Sequence, residues 1–247
     1  MTLGAALVVT AGAFAGGFVS GLTGFGTGIV ALGLWLHVLE PVQAATLVAA
    51  CSVTAQLQTL PAIWHALDGR RLAPMLLAGA LGVPLGALLL TRADPAAFRL
   101  GCGILLVLFS AVMSTGRGRP AAGRGGRAAD AAIGLGGGVL GGLAGLSGPL
   151  PTMWATLQGW SKDYRRGVFQ GYNTAILVLT LAIHAAGGLV TREVGGLYLL
   201  ALPGTILGVQ AGLRVYRRLS DRGFDRVVVA LLGLSGLALI LANAGVR

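Results

Sequence analysis

The residues best placed to do chemistry are glycines and small hydroxyls, gathered in Gly16-Gly17-Phe18-Val19-Ser20-Gly21-Leu22-Thr23-Gly24-Phe25-Gly26-Thr27-Gly28. Six glycines in thirteen residues are a poor basis for a straight helix, because glycine there is destabilising and leaves backbone exposed. The flanks, Leu3 to Phe14 and Ile29 to Leu39, are apolar and read as helix. The stretch therefore reads as two half-helices joined by a polar elbow. Inside a membrane, irregular backbone survives only where it is buried in protein or lines a cavity. The chemistry on offer is anion binding. A helix N-terminus presents unpaired N–H groups and a partial positive charge, and Ser20, Thr23 and Thr27 add hydroxyl donors.

A second elbow, Gly138 to Pro149, aligns with Gly17 to Gly28 at an offset of 121, so that Gly21 matches Gly142 and Gly24 matches Gly145. Interrupted apolar segments at corresponding places in two halves are the sequence mark of a transporter's binding site. The expected substrate contacts are Ser20, Gly21, Thr23, Gly24, Phe25, Gly26 and Thr27 from the first elbow, and Gly145, Leu146, Ser147 and Gly148 from the second. The competing reading is that these small residues only let helices pack closely. Ser52 and Gln56, four apart, share a helix face, as do Gln170 and Asn173, three apart, with Thr174 matching Ser52 between the halves. Substrate contact or interhelical hydrogen bonding accounts for them equally.

Other chemistry has little hardware. No Asp or Glu lies mid-span, which leaves no carboxylate proton relay. No Walker motif, Ser/His/Asp set, HExxH or CxxC occurs, so neither an enzyme nor a cofactor is expected. His65 and His184 stand toward span ends without ligand-spaced neighbours. A metal site is not expected, and the two histidines are either gates or interfacial hydrogen-bonding groups. Cys51 and Cys102 lie in separate apolar runs and read as packing residues. Lys162, Arg165 and Arg166 follow the second elbow, as an anion funnel at a mouth or as ordinary positive-inside anchors.

The elements that must position these groups follow from composition. The chain has 247 residues, 55% hydrophobic and 11% charged, with mean hydropathy +0.82, far from the roughly one-quarter charged residues of soluble domains. It reads as an all-α polytopic membrane protein. The net charge of +10 comes from cations between apolar runs, so nucleic acid is excluded and the lipid bilayer is the expected surrounding. A homodimer stays open. With no basic region before Leu3, the first segment reads as a true span and not a cleaved signal.

Apolar lengths give an interrupted segment at 3–39, spans at 42–66, 72–91 and 97–114, then a second interrupted segment at 131–160 and spans at 167–187, 194–213 and 225–244. The domains are a first repeat, 1–114, a Gly- and Arg-rich cytoplasmic linker, 115–130, and a second repeat, 131–247. Leu81-Gly82-Val83-Pro84-Leu85-Gly86 matches Pro203 to Gly208, extending the repeat past the elbows. If each interrupted segment enters and returns as a hairpin, every cation except Arg92, Arg99, Arg192 and Arg247 falls on one side, which satisfies the positive-inside rule. Each repeat then makes an odd number of crossings, so the two repeats, each a hairpin-like interrupted helix plus three transmembrane helices, are inverted.

Gly17 to Gly26, Pro41 with Ala44-Ala45, His65-Ala66-Leu67-Asp68-Gly69, Gly138 to Gly148 and His184 to Gly187 together resemble the sulfite exporter TauE/SafE family over nearly the whole chain. The resemblance implies a bacterial inner-membrane, multi-pass permease of about eight helices in two repeats. It implies sulfite, sulfonates such as sulfoacetate, or other organic anions as substrates. The chain departs from that pattern at Pro149-Leu150-Pro151, where more glycine is expected. The resemblance and the physics agree on an anion, and with the substrates that the resemblance implies the expectation is secondary export of a small sulfur-containing anion by alternating access. A passive anion channel or a non-transporting scaffold remains the alternative.

Overall fold

A computed structural model describes residues 2–62, 67–114, 126–158, 161–218 and 220–244. His65 and residues 115–125 of the expected linker lie outside them. The described chain is helical throughout: α1 (Leu3–Thr23), α2 (Thr27–Trp35), α3 (Pro41–Thr59), α4 (Gly69–Arg92), α5 (Pro95–Ser114), α6 (Arg127–Ala144), α7 (Pro149–Leu157), α8 (Lys162–Ala186), α9 (Arg192–Tyr216) and α10 (Asp221–Ala244). Stretches within α1, α4, α8 and α9 are long and apolar enough to cross a membrane.

Both interrupted segments are broken where expected. The C-cap of α1 is Gly24 at φ 82°, whose N–H donates to the Ser20 carbonyl, and the C-cap of α6 is Gly145 at φ 67°. Any other residue would be strained in this left-handed region, which is why glycine stops each helix. The chain then doubles back. Trp35 at the end of α2 donates its indole N–H to the Val9 carbonyl of α1 at 3.1 Å. Trp154 in α7 donates its own to Asp130 Oδ1 of α6 at 2.9 Å. Val9 and Asp130 are matched positions, so each hairpin is closed by a tryptophan at the same place.

The halves interlock. α1 lies along α9, α4 along α6, α5 against α10 and α3 against α8, a pattern unchanged when the halves are exchanged. Glycines bring α1 and α9 to backbone contact: a Cβ on Gly17 would stand 2.6 Å from the Thr205 carbonyl oxygen, and one on Gly204 2.9 Å from that of Thr10. The corresponding helices α3 and α8 run antiparallel. Gln170 bonds Thr59 at one end of the pair and His184 bonds Thr46 at the other.

Three boundaries differ from the sequence reading. The second span leaves the α-helix at Thr59 for a 3-10 turn, Leu60–Ala62, because Pro61 has no N–H for the Leu57 carbonyl. α8 begins at Lys162, so the cations expected in a loop form its first turn. α6 begins at Arg127, which takes the last residues of the expected linker into a helix.

Candidate functional site

The two elbows meet. A Cβ on Gly148 would stand 2.6 Å from Phe25 Cβ, and one on Gly28 3.3 Å from the Gly145 carbonyl oxygen. Between them lies a cavity of about 10 Å³, the room of one water molecule. The first hairpin contributes Ser20, Gly26, Gly28 and Ile29 to its wall, and the second Gly145, Leu146, Gly148 and Pro149. Ser52 and Gln56 of α3 and Asn173 and Leu177 of α8 complete it.

Donors dominate this wall. Gly26 caps α2 without a side-chain hydrogen bond, which leaves the first-turn N–H groups of Thr27, Gly28 and Ile29 unmet by any cap. Ser20 is fully buried and its hydroxyl has no hydrogen-bond partner among the described residues. Ser147 donates to Asn173 Oδ1, which turns the amide NH2 of Asn173 into its free donating end. Among the described residues, no acidic side chain reaches the cavity wall. The second elbow is poorer. Prolines at the first and third positions of α7, Pro149 and Pro151, fit the free turn of a helix well but bring no N–H, so Leu150 is the one donor of those three.

The C-terminal end of α1, whose carbonyls would repel an anion, is neutralised from behind. Arg166 is fully buried, donates from Nη2 to the Gly21 carbonyl at 3.0 Å and from Nε to Gln170 Oε1 at 3.1 Å, and stacks 3.8 Å over the Tyr216 ring. Gln56 Nε2 donates to the Gly24 carbonyl at 3.0 Å. Gln170 in turn donates to Thr59. With its negative end so met, the elbow keeps the positive end of α2 facing the cavity.

Of the residues singled out in the sequence, Ser20, Gly26, Ser52, Gln56, Gly145, Leu146, Gly148 and Asn173 come together at the cavity. Gly21, Thr23, Gly24, Phe25, Thr27, Ser147 and Gln170 form its supports. The Thr23 hydroxyl bridges the Val19 and Phe25 carbonyls across the bend. Phe25 packs edge-on against Phe169 at 5.5 Å. The Thr27 hydroxyl is buried and without a partner among the described residues. Thr174 stands apart, its hydroxyl bonded back to the Gln170 carbonyl at 2.7 Å. Arg165 is 6% exposed and Arg166 not at all. Arg166 lies under the first elbow, on the Gly21 carbonyl. His184, in the last turn of α8, is fully buried between Thr46 and the Gly142 carbonyl.

Sequence reasoning missed Ile29, Leu177 and Tyr216. It also missed a buried polar cluster at the other end of the second hairpin. There Asp130, 1% exposed, accepts from Trp154 and from Arg71 Nη1 at 3.0 Å. Next to it, the Tyr164 hydroxyl donates to Asp68 at 2.6 Å and holds that carboxyl below its ordinary pKa, helped by the N–H groups of Arg70 and Arg71. The signal was present: Trp35 and Trp154 sit at nearly the repeat offset.

Paired broken helices, closed on a buried donor-rich cavity within an apolar all-helical body, define a membrane protein of the transporter type. The chain belongs to the sulfite exporter TauE/SafE family, whose sequence profile matches residues 8–239. It matches no curated relative and no solved structure.

Proposed function

We propose that this protein is a multi-pass secondary exporter of a small sulfur-containing anion, sulfite or an organosulfonate, in a bacterial inner membrane. The elbow cavity holds the anion: N–H groups of Thr27, Gly28 and Ile29, the hydroxyls of Ser20 and Ser52 and the Asn173 amide donate to its oxygens. The observation that carries this reading is the meeting of two elbows on one buried cavity with donors and no acid in its wall. Charge-assisted hydrogen bonds of this kind are worth about 1.5–3 kcal/mol each.

At about 10 Å³ the cavity has no room for a sulfur oxyanion, so the elbows must part to admit one. Alternating access of two inverted repeats would do this. The antiparallel run of α3 and α8, at matched places in the two halves, supports inversion. Motion of one hairpin against the other opens the cavity first to one face and then to the other. The inside-negative potential assists export by about 2.3 kcal/mol per charge per 100 mV.

The test is the thermal stability of the purified protein against sulfite, sulfate, thiosulfate, taurine, sulfoacetate, chloride and acetate. A ligand that binds only the folded state raises stability by mass action. A selective rise with one sulfur anion, followed by its saturable flux in proteoliposomes, is the expected result. A flat panel refutes the site.

A further inference from the structure

The two elbows end their first helices on different basic side chains. Gly21 and Gly142 hold the same place in α1 and α6, and each carbonyl accepts from α8: Gly21 from Arg166 Nη2 and Gly142 from His184 Nε2, both at 3.0 Å. A carbonyl oxygen only accepts, so Nε2 of His184 carries a hydrogen. The other ring nitrogen, Nδ1, lies 3.1 Å from the Thr46 hydroxyl. A hydroxyl both donates and accepts. With His184 neutral, Thr46 donates to Nδ1. With Nδ1 protonated, the ring donates to the Thr46 oxygen, so the same pair stays bonded in either state. His184 can therefore gain a proton without losing a hydrogen bond or moving. The charge behind the first elbow is fixed by arginine, whereas that behind the second is set by protonation.

We propose that His184 is a proton-binding site linked to the anion site, taking up one proton at Nδ1 as the anion binds. This rests on the elbow cavity proposed above and adds a co-bound proton to it. The imidazolium meets the carbonyl end of α6, which stops at Gly145 on the cavity wall, and gives the donor-poor second elbow the positive charge that Arg166 gives the first. The proton comes from water. Thr46 also lines a groove of about 410 Å³ between α3, the end of α8 and the start of α9, which gives a path from the loop at Val190. Charged groups on the surrounding elements are spoken for or exposed. Asp130 of α6 pairs with Arg71 of α4, while Glu40 before α3, Arg70 and Arg92 of α4, Arg127 of α6, and Arg192 and Glu193 of α9 are exposed. Lys162, Asp163, Arg165 and Arg166 lie at the far end of α8, and α7 carries no charge.

Linkage is reciprocal: if the anion favours the protonated form, acid must favour the anion. The experiment measures the sulfite concentration that gives half-maximal thermal stabilisation of the purified full chain, from pH 6 to pH 8, in the wild type, His184→Gln and His184→Arg. Sulfite's own protonation is common to all three and cancels in the comparison. Between pH 6 and pH 8 the wild-type value should rise at least tenfold more than that of either variant, with His184→Arg remaining the tighter at pH 8. One pH profile shared by the wild type and His184→Arg overturns the inference, whether or not His184→Gln folds. Absence of an effect in the wild type at every pH, from sulfite and from every other sulfur anion of the panel above, refutes the elbow site itself, and this inference with it.

Discussion

Gly28→Ala separates an anion site from helix packing. Gly28 is the second residue of α2, in ordinary helical backbone, so alanine brings no strain and gains at most about 1 kcal/mol of helix propensity. Its methyl would meet Val48 Cγ1 at 2.9 Å and Leu146 Cδ2 at 3.0 Å, both ends of side chains, and the Gly145 carbonyl oxygen at 3.3 Å. Those neighbours need shift only by tenths of an ångström, which offsets the gain. Stability should stay within about 1 kcal/mol of wild type, or about 2–4 °C for a chain of this size. The site fares differently, because the methyl stands between the elbows, where oxygens of the anion would face the N–H groups of α2. Loss of one charge-assisted hydrogen bond, about 1.5–3 kcal/mol, weakens binding roughly tenfold to a hundredfold. At a sulfite concentration a hundred times the wild-type Kd, stabilisation should fall from about 2.7 kcal/mol to between about 1.4 and 0.4. The assay is a pair of melting curves with and without sulfite, followed by flux in proteoliposomes. A Gly28→Ala protein that is stable and transports like wild type would refute the placement of the anion between the elbows.

Neighbouring residues on α8 give a sharper contrast: Asn173→Leu should abolish sulfite-dependent stabilisation, whereas Thr174→Val, whose hydroxyl serves only the Gln170 carbonyl, should leave flux within twofold of wild type. Trp154→Phe strips a donor from a buried carboxylate and should cost about 2 kcal/mol, against about 1 for Trp35→Phe, whose partner is a neutral carbonyl; thermal melts compare the two. Tyr164→Phe removes the donor that most depresses the Asp68 pKa. A depressed carboxyl stabilises the fold above its unfolded pKa, here the ordinary 3.8, and loses that contribution as pH falls through its folded value. The stability difference between wild type and Tyr164→Phe should therefore be full at neutral pH and shrink below about pH 4, as melting curves from pH 3 to 7 would show.

The elbows were legible because their cause is local. A left-handed helix stop demands glycine, and Gly24 and Gly145 advertise that demand at a fixed offset. Helix lengths were legible for the same reason, to within a few residues. What sequence reasoning missed depends on which helices become neighbours. Arg165 and Arg166 follow the second elbow in the chain and read as a funnel at a mouth or as positive-inside anchors, yet the interlocking of the halves puts Arg166 behind the first elbow, on the Gly21 carbonyl. No local rule announces that exchange. Asp130 reads as a charged helix start at the end of a linker, and only the return of α7 buries it under Trp154.

The same interlocking bears on how the proposed transporter would move. The first hairpin is closed by Trp35 of α2 on the Val9 backbone carbonyl of α1, a neutral acceptor fixed in a helix. The second is closed by Trp154 on a carboxylate shared with Arg71, a side chain 36% exposed on α4. An exposed charged group can be drawn away by solvent or by a passing anion, at a cost that a helix carbonyl does not allow. The donors follow the same division. α2 offers three N–H groups, while prolines leave α7 with one at the same positions. On the proposed mechanism the first hairpin is then the fixed cradle that carries most of the binding, and the second is the weaker wall whose latch at Asp130 yields when the elbows part.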